Sequence, residues 1–422
     1  LQQPLSLSLS VSLGMTSEQP EPASKKPKMT TNGQDDLLEY SVIYTDRAKN
    51  LMAASFSQAF KDISNNLCEV YQADHCVLIP GSGSYAMEAV VGQFARHKTE
   101  PDYKPAMVIR NGYFSFRWSD IWEWVFPAAC GRSPELKVIK ATPVEGGDRP
   151  AFQPPDIESA VAQIKENKPC LVFAPHVETS DGVIISNDYI KKLADATHEG
   201  DEDAIFVLDC IASGNVWAKM KDLGVDVLIT APQKGWTSPA SVGIAMMSAR
   251  AKAIMEKKVR GHSFCCNLSK WSTVADKYSA PGGFMYHTTL PTDALTTFRD
   301  VILETKATGL DDLEKKTFEL GSRVRAVLEK NGFKSVAAEG YKAPTVVVSY
   351  MRGEQDRTIA AKFKKQGIQI AAGVPLKIDE PWGDGGPPTF RIGLFGLDKL
   401  KDVDKAVSTF ESALAKVLEM DA

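Results

Sequence analysis

The chain has 422 residues, of which 43% are hydrophobic and 24% are charged, as in an ordinary globular protein. Its net charge of −4 argues against a nucleic-acid-binding role that rests on overall basicity. No apolar run approaches the roughly 18–20 residues that span a membrane, so we expect no membrane segment.

The first 38 residues are rich in Ser, Pro, Gln and Lys and show no sustained hydrophobic period. We expect them to form a disordered tail, because such a composition buries too little apolar surface to fold. The sequence begins with Leu, and Met15 and Met29 are both possible starts, so the tail is either native or in part an artefact. The seven cysteines show neither disulfide nor zinc spacing, which indicates reduced thiols and no metal site.

The fold is predicted to begin after residue 37 and to reach its first strand at residues 76–79. A turn, Pro80-Gly-Ser-Gly-Ser84, follows this strand, and apolar residues then recur at helical spacing over 86–95. Backbone N–H groups at such a helix start can bind an anion, although the same turn often serves only as a connection. The third glycine of a nicotinamide-binding fingerprint is missing after this turn, which disfavours that cofactor.

A strand over residues 107–110 is predicted to end at an Asn111-Gly112 turn that is followed by many aromatic residues. We expect Trp118, Trp122 and Trp124 to pack in the core, while one ring of the group could stack on a planar cofactor. A further buried strand over 170–174 ends in several polar residues, and polar residues after a buried strand favour a functional site.

Two neighbouring apolar runs end in residues that strand interiors rarely contain. Residues 205–208 lead to Asp209, and residues 225–230 lead, through a short turn, to Lys234. Parallel strands place their carboxyl ends at one edge of the sheet, where open α/β sheets bind ligands. A lysine amine and a carboxylate at one site are what pyridoxal phosphate chemistry requires, the first for a Schiff base and the second for the pyridine nitrogen.

The remaining elements indicate a second unit. Residues 241–247 form another apolar run, and 293–306 a helix that leads out of the first unit. The later elements are a helix over 313–328, strands over 345–349, 368–372 and 390–396, a Pro/Gly-rich loop over 381–388 and a closing helix over 400–418. We therefore predict an α/β domain over 39–292, with a three-layer, mainly parallel sheet, and a smaller C-terminal α+β domain with its linker helix over 293–422.

Seven motifs together resemble the class V branch of the fold-type I pyridoxal-phosphate aminotransferases, most closely the alanine– and serine–glyoxylate group. They are Gly81-Ser-Gly-Ser84, Asn111-Gly-Tyr-Phe-Ser-Phe-Arg117, His176-Val-Glu-Thr-Ser-Asp-Gly182, Asp209-Cys-Ile-Ala-Ser213, Gln233-Lys234, Tyr286-His-Thr-Thr289 and Phe390-Arg-Ile-Gly393. The resemblance extends over most of residues 76–400, and the motifs occur in the family's order. It implies the fold of that family and pyridoxal 5'-phosphate as the cofactor.

The resemblance also implies how the cofactor ring is held. Lys234 corresponds to the lysine that forms the Schiff base, and Asp209 to the partner of the pyridine nitrogen. Ile211 corresponds to the apolar residue beneath the ring; as a strand residue it would point to the same side as Asp209. Phe114 corresponds to the aromatic residue on the opposite face, and Ser180 to a polar contact of the cofactor.

The phosphate and the substrate have their own implied contacts. Ser82, Gly83, Ser84 and Gln233 correspond to residues that bind the phosphate. Tyr286 and Thr289 correspond to residues that reach the phosphate from a neighbouring subunit, which implies a homodimer with shared active sites. Arg391 corresponds to the arginine that holds the substrate carboxylate, a planar group that a guanidinium binds with two parallel hydrogen bonds.

The expected activity is the transfer of an amino group from an alanine- or serine-like amino acid to glyoxylate or pyruvate in a ping-pong cycle. One alternative is a lyase or desulfurase, which Phe114 disfavours because desulfurases usually have histidine there, while Cys265-Cys266 keeps it open. A non-catalytic binding protein would not need both Lys234 and Asp209, and a nicotinamide oxidoreductase would leave Lys234 unexplained.

The sequence departs from the family where a Gly-Pro-rich opening is usual and Tyr40-Ser-Val-Ile-Tyr-Thr-Asp46 stands instead. That segment often borders the substrate, and the loop over 379–388 with Trp382 can also shape the pocket, so the donor and the acceptor stay open. The last three residues are not a peroxisomal address. We expect a cytoplasmic enzyme.

Overall fold

A seven-stranded sheet organises most of the fold, and a three-stranded sheet lies in the C-terminal part. The structure, a computed structural model, describes residues 37–127, 133–144, 147–258, 260–352, 358–380 and 386–420. The strands are β1 (His75–Pro80), β2 (Ala106–Arg110), β3 (Leu136–Lys140), β4 (Thr142–Pro143), β5 (Phe152–Gln153), β6 (Leu171–Pro175), β7 (Ile205–Asp209), β8 (Val227–Thr230), β9 (Val242–Met247), β10 (Val346–Tyr350), β11 (Ala371–Ala372) and β12 (Thr389–Gly393).

Helices connect most of these strands. They are α1 (Ala54–Tyr71), α2 (Gly83–Phe94), α3 (Tyr113–Val125), α4 (Ile157–Asn167), α5 (Asn187–Gly200), α6 (Met220–Leu223), α7 (Ala249–Lys257), α8 (Leu268–Ser279), α9 (Thr292–Thr308), α10 (Leu310–Lys330), α11 (Ile359–Lys365), α12 (Leu397–Leu400) and α13 (Val403–Glu419). No helix in the described part of the chain combines the length and the apolar character that a membrane span needs.

The large sheet has the strand order β1-β9-β8-β7-β6-β2-β3. All of its strands run in one direction except β9, which is antiparallel to both β1 and β8. Strands β6 and β8 are buried throughout, as expected of parallel strands covered by helices on both faces. The predicted three-layer, mainly parallel α/β architecture is therefore confirmed.

The C-terminal sheet is antiparallel, with the order β10-β12-β11. Helices α10, α11 and α13 supply a separate apolar core for it, in which the rings of Phe363 and Phe410 stack at 5.6 Å between centroids. From Leu38 onward the chain is one compact unit, so the proposed domain boundary at residues 292/293 stays a prediction. The predicted tail, residues 1–38, lies almost wholly outside the described residues, as does Trp382.

Three local predictions were wrong. The aromatic group after Gly112 lies on helix α3 and not in a turn, and Gly112 is the N-cap of that helix. Trp118 and Trp122 are buried as expected, but Trp124 is 84% exposed because it points away from the face of α3 that packs on the sheet. The closing helix over 400–418 is instead two helices, α12 and α13, since the chain leaves the helical conformation near Asp402.

Candidate active site

The carboxyl ends of β7 and β8 bring the predicted carboxylate and the predicted lysine to the same edge of the sheet. Asp209 is the last residue of β7, and it pairs in register with Ile229 of β8. Lys234 follows the end of β8 by four residues. The sheet geometry thus places both groups where the parallel strands open towards a ligand.

Asp209 lies in a protein-lined cleft and is still partly accessible. Burial, with a smaller contribution from the negative charge of Glu178, raises the pKa of its carboxyl to about 6, because both disfavour the ionised form, whereas the positive charge of Arg117 lowers it. Oδ1 accepts a hydrogen bond from the backbone N–H of Ile211 at 3.0 Å. No cation pairs with Asp209 in the described part of the chain, so its charge is available to a bound group.

Ile211 lies beyond the end of β7, in the turn that caps Asp209. The argument from strand alternation, which placed both side chains on one side, was therefore wrong. Ile211 nevertheless reaches the predicted phosphate turn: a Cβ added to Gly83 would overlap its Cδ1 atom. Only glycine at position 83 allows this contact.

Lys234 lies in a compact turn after β8. The backbone N–H of Thr237 donates to the carbonyl of Lys234 at 3.0 Å, and that of Ser238 donates to Pro232 at 3.0 Å. Burial lowers the pKa of the Lys234 amine, and the positive charges of Arg391 and Arg117 lower it further. Within the described residues Nζ has no hydrogen bond or ion pair, and its nearest recorded ring is that of Phe395, 5.3 Å from Nζ.

The predicted phosphate turn opens helix α2. Gly81 has φ of 128°, which favours glycine, and Ser82 is the N-cap residue in an extended conformation. The carbonyl of Ser82 accepts the backbone N–H of Tyr85 at 2.9 Å, while Ser84 Oγ accepts a hydrogen bond from Arg117 at 3.3 Å. The first N–H groups of a helix point outward, so this turn can bind an anion.

Glu178 fixes the start of helix α3, a role that the sequence did not indicate. Its carboxylate is 1% exposed and accepts hydrogen bonds from the backbone N–H groups of Phe114 at 3.1 Å and Ser115 at 2.9 Å. The hydroxyl of Ser115 also donates to it, at 2.7 Å. A carboxylate at a helix N-terminus satisfies donors that the helix leaves free and stabilises the dipole. Glu178 therefore positions Phe114.

Ser180 belongs to the same cluster. Its hydroxyl donates to Glu178 at 2.9 Å and accepts the backbone N–H of Tyr113 at 3.0 Å, and the residue is fully buried. A Cβ at Gly112 would lie 2.8 Å from Glu178 Cγ, so the helix start fits closely against this segment. The Ser180 hydroxyl thus helps to position the start of helix α3. Its contact with the cofactor stays a prediction.

Two guanidinium groups lie beside Phe114. The Cζ atoms of Arg117 and Arg391 are each 5.5 Å from the centroid of its ring. Arg391 is on β12, and its Nε donates to the carbonyl of Ala372 on the neighbouring strand at 2.9 Å. Burial lowers the pKa of Arg391, whereas Glu178 raises it. Neither arginine has an ion-pair partner among the described residues.

The remaining predicted site residues are on the surface of the single chain. Gln233, Tyr286 and Thr289 are exposed, Tyr286 by 53%. Among the described residues, no hydrogen bond joins these three side chains to Lys234 or to the start of α2. The other predicted residues of the site, apart from Ser180, lie at the ends of β7 and β8, at the starts of α2 and α3 and on β12: they are Ser82, Gly83, Ser84, Phe114, Asp209, Ile211, Lys234 and Arg391.

This arrangement fits a phosphorylated aromatic aldehyde. A carboxylate and an amine that form no ion pair among the described residues lie at one sheet edge, a helix start can accept an anion, and two guanidinium groups lie beside an aromatic ring. The described residues contain no cluster of His, Cys, Asp and Glu that could hold a metal ion.

Comparison with known proteins decides the family. Residues 22–376 match the family described as aminotransferase class-V. The chain is a class V aminotransferase. Membership makes it a pyridoxal-phosphate-dependent transaminase, as the motifs predicted, and the nicotinamide oxidoreductase alternative was wrong.

Relatives of this aminotransferase match over most of their length. It is 27% identical over 372 residues to the small subunit of a soluble hydrogenase from Synechococcus sp., with 86% of each chain covered. It is 24% identical over 328 residues to alanine–glyoxylate aminotransferase 1 from Saccharomyces cerevisiae, with 76% of this chain and 77% of the relative covered.

A solved structure has the same fold. An alanine–glyoxylate aminotransferase from Nostoc sp. superposes with a TM-score of 0.69 at 19% identity, over 87% of this chain and 89% of the other. The predicted fold-type I architecture is confirmed. The desulfurase alternative gains no support from Cys265 and Cys266, since within the described residues no contact joins either to Lys234.

Proposed function

We propose that this class V aminotransferase moves an amino group from an alanine- or serine-like amino acid to a 2-oxo acid, glyoxylate or pyruvate, by a ping-pong mechanism with pyridoxal 5'-phosphate. The observation that supports this most directly is the placement of Asp209 and Lys234 at one sheet edge, both without ionic partners in the described chain. Relatives named for alanine and glyoxylate support the choice of substrates.

Lys234 has two tasks in this proposal. Its amine would hold the cofactor covalently at the aldehyde carbon, with loss of water. Bound pyridoxal phosphate supplies the electron sink that makes the α-proton of an amino acid removable. Once the substrate amine has displaced it, the Lys234 amine moves this proton from the substrate α-carbon. Burial and two neighbouring arginines lower its pKa, which favours the neutral, basic form that this step needs.

Asp209 and Phe114 hold the aromatic ring. The Asp209 carboxylate would accept a hydrogen bond from the protonated pyridine nitrogen, and this positive partner would lower the carboxyl pKa from its raised value. Phe114 would pack against one face of the ring, and Ile211, which lies beside the predicted phosphate turn, would pack against the other. Glu178 keeps Phe114 in place through the first turn of α3.

The phosphate and the substrate are bound by separate parts of the site. Backbone N–H groups over Ser82–Gly83–Ser84, with Gln233, bind the phosphate at the start of α2. Arg391, fixed through Nε to Ala372, keeps its two terminal nitrogens for the α-carboxylate of the amino acid. Ser180 contributes a further polar contact if its hydroxyl turns from Glu178 when the cofactor binds.

A homodimer completes the site in this proposal. Tyr286 and Thr289 are exposed on one chain and would reach the phosphate of a second copy. Mixing Lys234→Ala with Tyr286→Phe chains tests this, because a mixed dimer contains one site with both native residues. Activity should exceed that of either variant alone; its absence in confirmed mixed dimers would show that the site is not shared. A cytoplasmic location also stays a prediction.

The lysine assignment has a direct spectroscopic test. Purified protein should absorb near the visible edge because of the Schiff base, and Lys234→Ala should abolish this absorption and the transamination of alanine with glyoxylate or pyruvate. Lys315→Ala, which removes an exposed lysine of α10, is the matched control and should change neither. An unchanged spectrum in Lys234→Ala would remove Lys234 from its role.

A further inference from the structure

Arg117 is a partly buried cation on helix α3, beside the start of helix α2. Its Nη1 atom donates to Ser84 Oγ at 3.3 Å, which places the guanidinium beside the first turn of α2. No carboxylate forms an ion pair with Arg117 in the residues that the structure describes. A guanidinium removed from water without an ionic partner is unfavourable, so a negative charge is expected next to it in the working protein.

Among the described residues, no carboxylate of the site forms an ion pair with Arg117, although the positive charge of Arg117 lowers the pKa of Asp209. Both oxygens of Glu178 already accept hydrogen bonds from the start of α3 and from Ser180. Asp209 accepts the N–H of its own turn and faces the position expected for the pyridine nitrogen. A bound group can then supply a direct anionic partner for Arg117, close to the Ser84 hydroxyl to which Arg117 donates.

We infer that Arg117 binds the phosphate of the cofactor together with the Ser82–Gly83–Ser84 turn, and that the substrate therefore carries a single carboxylate and an uncharged side chain. The inference rests on the proposed function. Of the two guanidinium groups beside Phe114, one is then assigned to the phosphate. Arg391 alone remains for the substrate, and its guanidinium group can bind one carboxylate through two parallel hydrogen bonds. Alanine and serine satisfy this condition, whereas aspartate and glutamate do not.

Two ligands that differ only in the phosphate separate this role from a structural one. Cofactor-free wild type and Arg117→Gln are titrated with pyridoxal phosphate and with pyridoxal, and binding is followed by absorbance. We expect Arg117→Gln to weaken pyridoxal phosphate binding by roughly 10- to 100-fold, the scale of a charged hydrogen bond. Pyridoxal binding should change less than about twofold, and Arg117→Lys should restore part of the phosphate effect.

The matched control is Lys377→Gln. Lys377 is exposed, and its Nζ atom lies 5.9 Å from the centroid of the Phe116 ring. The substitution therefore removes one positive charge near helix α3 and leaves the hydrogen bond between Arg117 and Ser84 in place. Its affinity for both ligands should match wild type. Equal weakening of both ligands by Arg117→Gln would overturn the inference, as would unchanged binding of pyridoxal phosphate. Failure of wild type to bind pyridoxal phosphate would instead refute the proposed function.

The substrate class is tested by single-turnover rates with alanine, serine, aspartate and glutamate on wild type and Arg117→Lys. We expect alanine or serine to react at least tenfold faster than either dicarboxylate, with the same order of preference in Arg117→Lys. Faster reaction of a dicarboxylate in wild type, lost in Arg117→Lys, would assign Arg117 to the substrate and overturn the inference.

Discussion

The backbones of Gly214 and Gly235 touch, and a Cβ on Gly235 would lie 2.6 Å from the Gly214 Cα atom. Gly214 is in the turn that follows Asp209, and Gly235 follows Lys234 directly. Thr345 holds the first of these turns through a hydrogen bond of 2.8 Å from its hydroxyl to the carbonyl of Ala212. The contact therefore fixes the two predicted catalytic segments relative to each other.

Gly235→Ala should separate these segments. Backbone atoms on both sides cannot rotate away as a side chain can, so we expect a loss of about 1–3 kcal/mol in the free energy of unfolding. Pyridoxal phosphate affinity should fall as well. Chemical denaturation and a cofactor titration measure the two effects.

Gly92→Ala is the control for the glycine change. It lies in helix α2, and its added Cβ would meet its nearest neighbour, His262, at 3.5 Å, an ordinary contact. Alanine should be neutral there or stabilise the helix by about 0.5–1 kcal/mol. If both variants behaved alike, the contact between the two turns would have no special role.

Asp209→Asn should stabilise the cofactor-free protein in a pH-dependent way. The folded chain raises the pKa of this carboxyl to about 6, from 3.8, and so binds its proton more tightly than the unfolded chain does. Ionisation therefore destabilises the fold as pH rises between these values, and the full penalty, up to about 3 kcal/mol, is present above pH 6. Asparagine cannot ionise and avoids it.

The measurement is the free energy of unfolding of cofactor-free wild type and Asp209→Asn at pH 4 and pH 7.5. The variant should gain stability at the higher pH relative to the lower one while losing transamination. If the variant gained the same stability at both pH values, the pKa of the Asp209 carboxyl would not be raised in the folded protein.

Glu178→Gln should loosen the start of helix α3. In the wild type, the backbone N–H and the hydroxyl of Ser115 both donate to the Glu178 carboxylate. The amide group of glutamine would turn an NH2 group towards at least one of these donors, so at least one charged hydrogen bond is lost. We expect a cost of about 1.5–3 kcal/mol, measured by chemical denaturation. Glu166→Gln, an exposed change on α4, should stay within about 0.5 kcal/mol. A loss of stability no larger than that of Glu166→Gln would show that Glu178 does not stabilise the start of α3.

Arg391→Ala should weaken substrate binding and leave the cofactor bound. Loss of a charged hydrogen-bond pair costs about 1.5–3 kcal/mol, which should be visible in the dissociation constant for alanine. Arg391→Lys keeps the positive charge but lacks the planar guanidinium group, so it should recover only part of the affinity. An effect within experimental error would exclude Arg391 from the site.

The sequence predicted the mainly parallel sheet and the positions of Asp209 and Lys234 near the ends of two of its strands, because both follow from local patterns. Apolar β-branched runs ending in Asp209 or leading to Lys234 indicated buried parallel strands, and the structure pairs these strands directly. The helix start at Gly83 followed from its glycines and serines. Each of these features depends on a few adjacent residues, which a single sequence contains.

Long-range contacts were beyond such patterns. Nothing near Glu178 in sequence reveals that its carboxylate meets a helix that begins at Tyr113. Trp124 was placed in the core because its helix was interpreted as a turn, and the helical period would have turned it to solvent. The same period places Arg117 three residues from Phe114, on one face of α3, and could have indicated its role.

The antiparallel strand β9 has a consequence for how the protein is made. During synthesis β1 emerges early, yet its hydrogen-bonding partner in the large sheet, Val242–Met247, is translated only after the other strands of that sheet. Its apolar residues must wait through most of that time without their final neighbour, which exposes the nascent chain to aggregation. We expect productive folding to depend on chaperones, and we expect the large sheet to be completed only after residue 247 has left the ribosome.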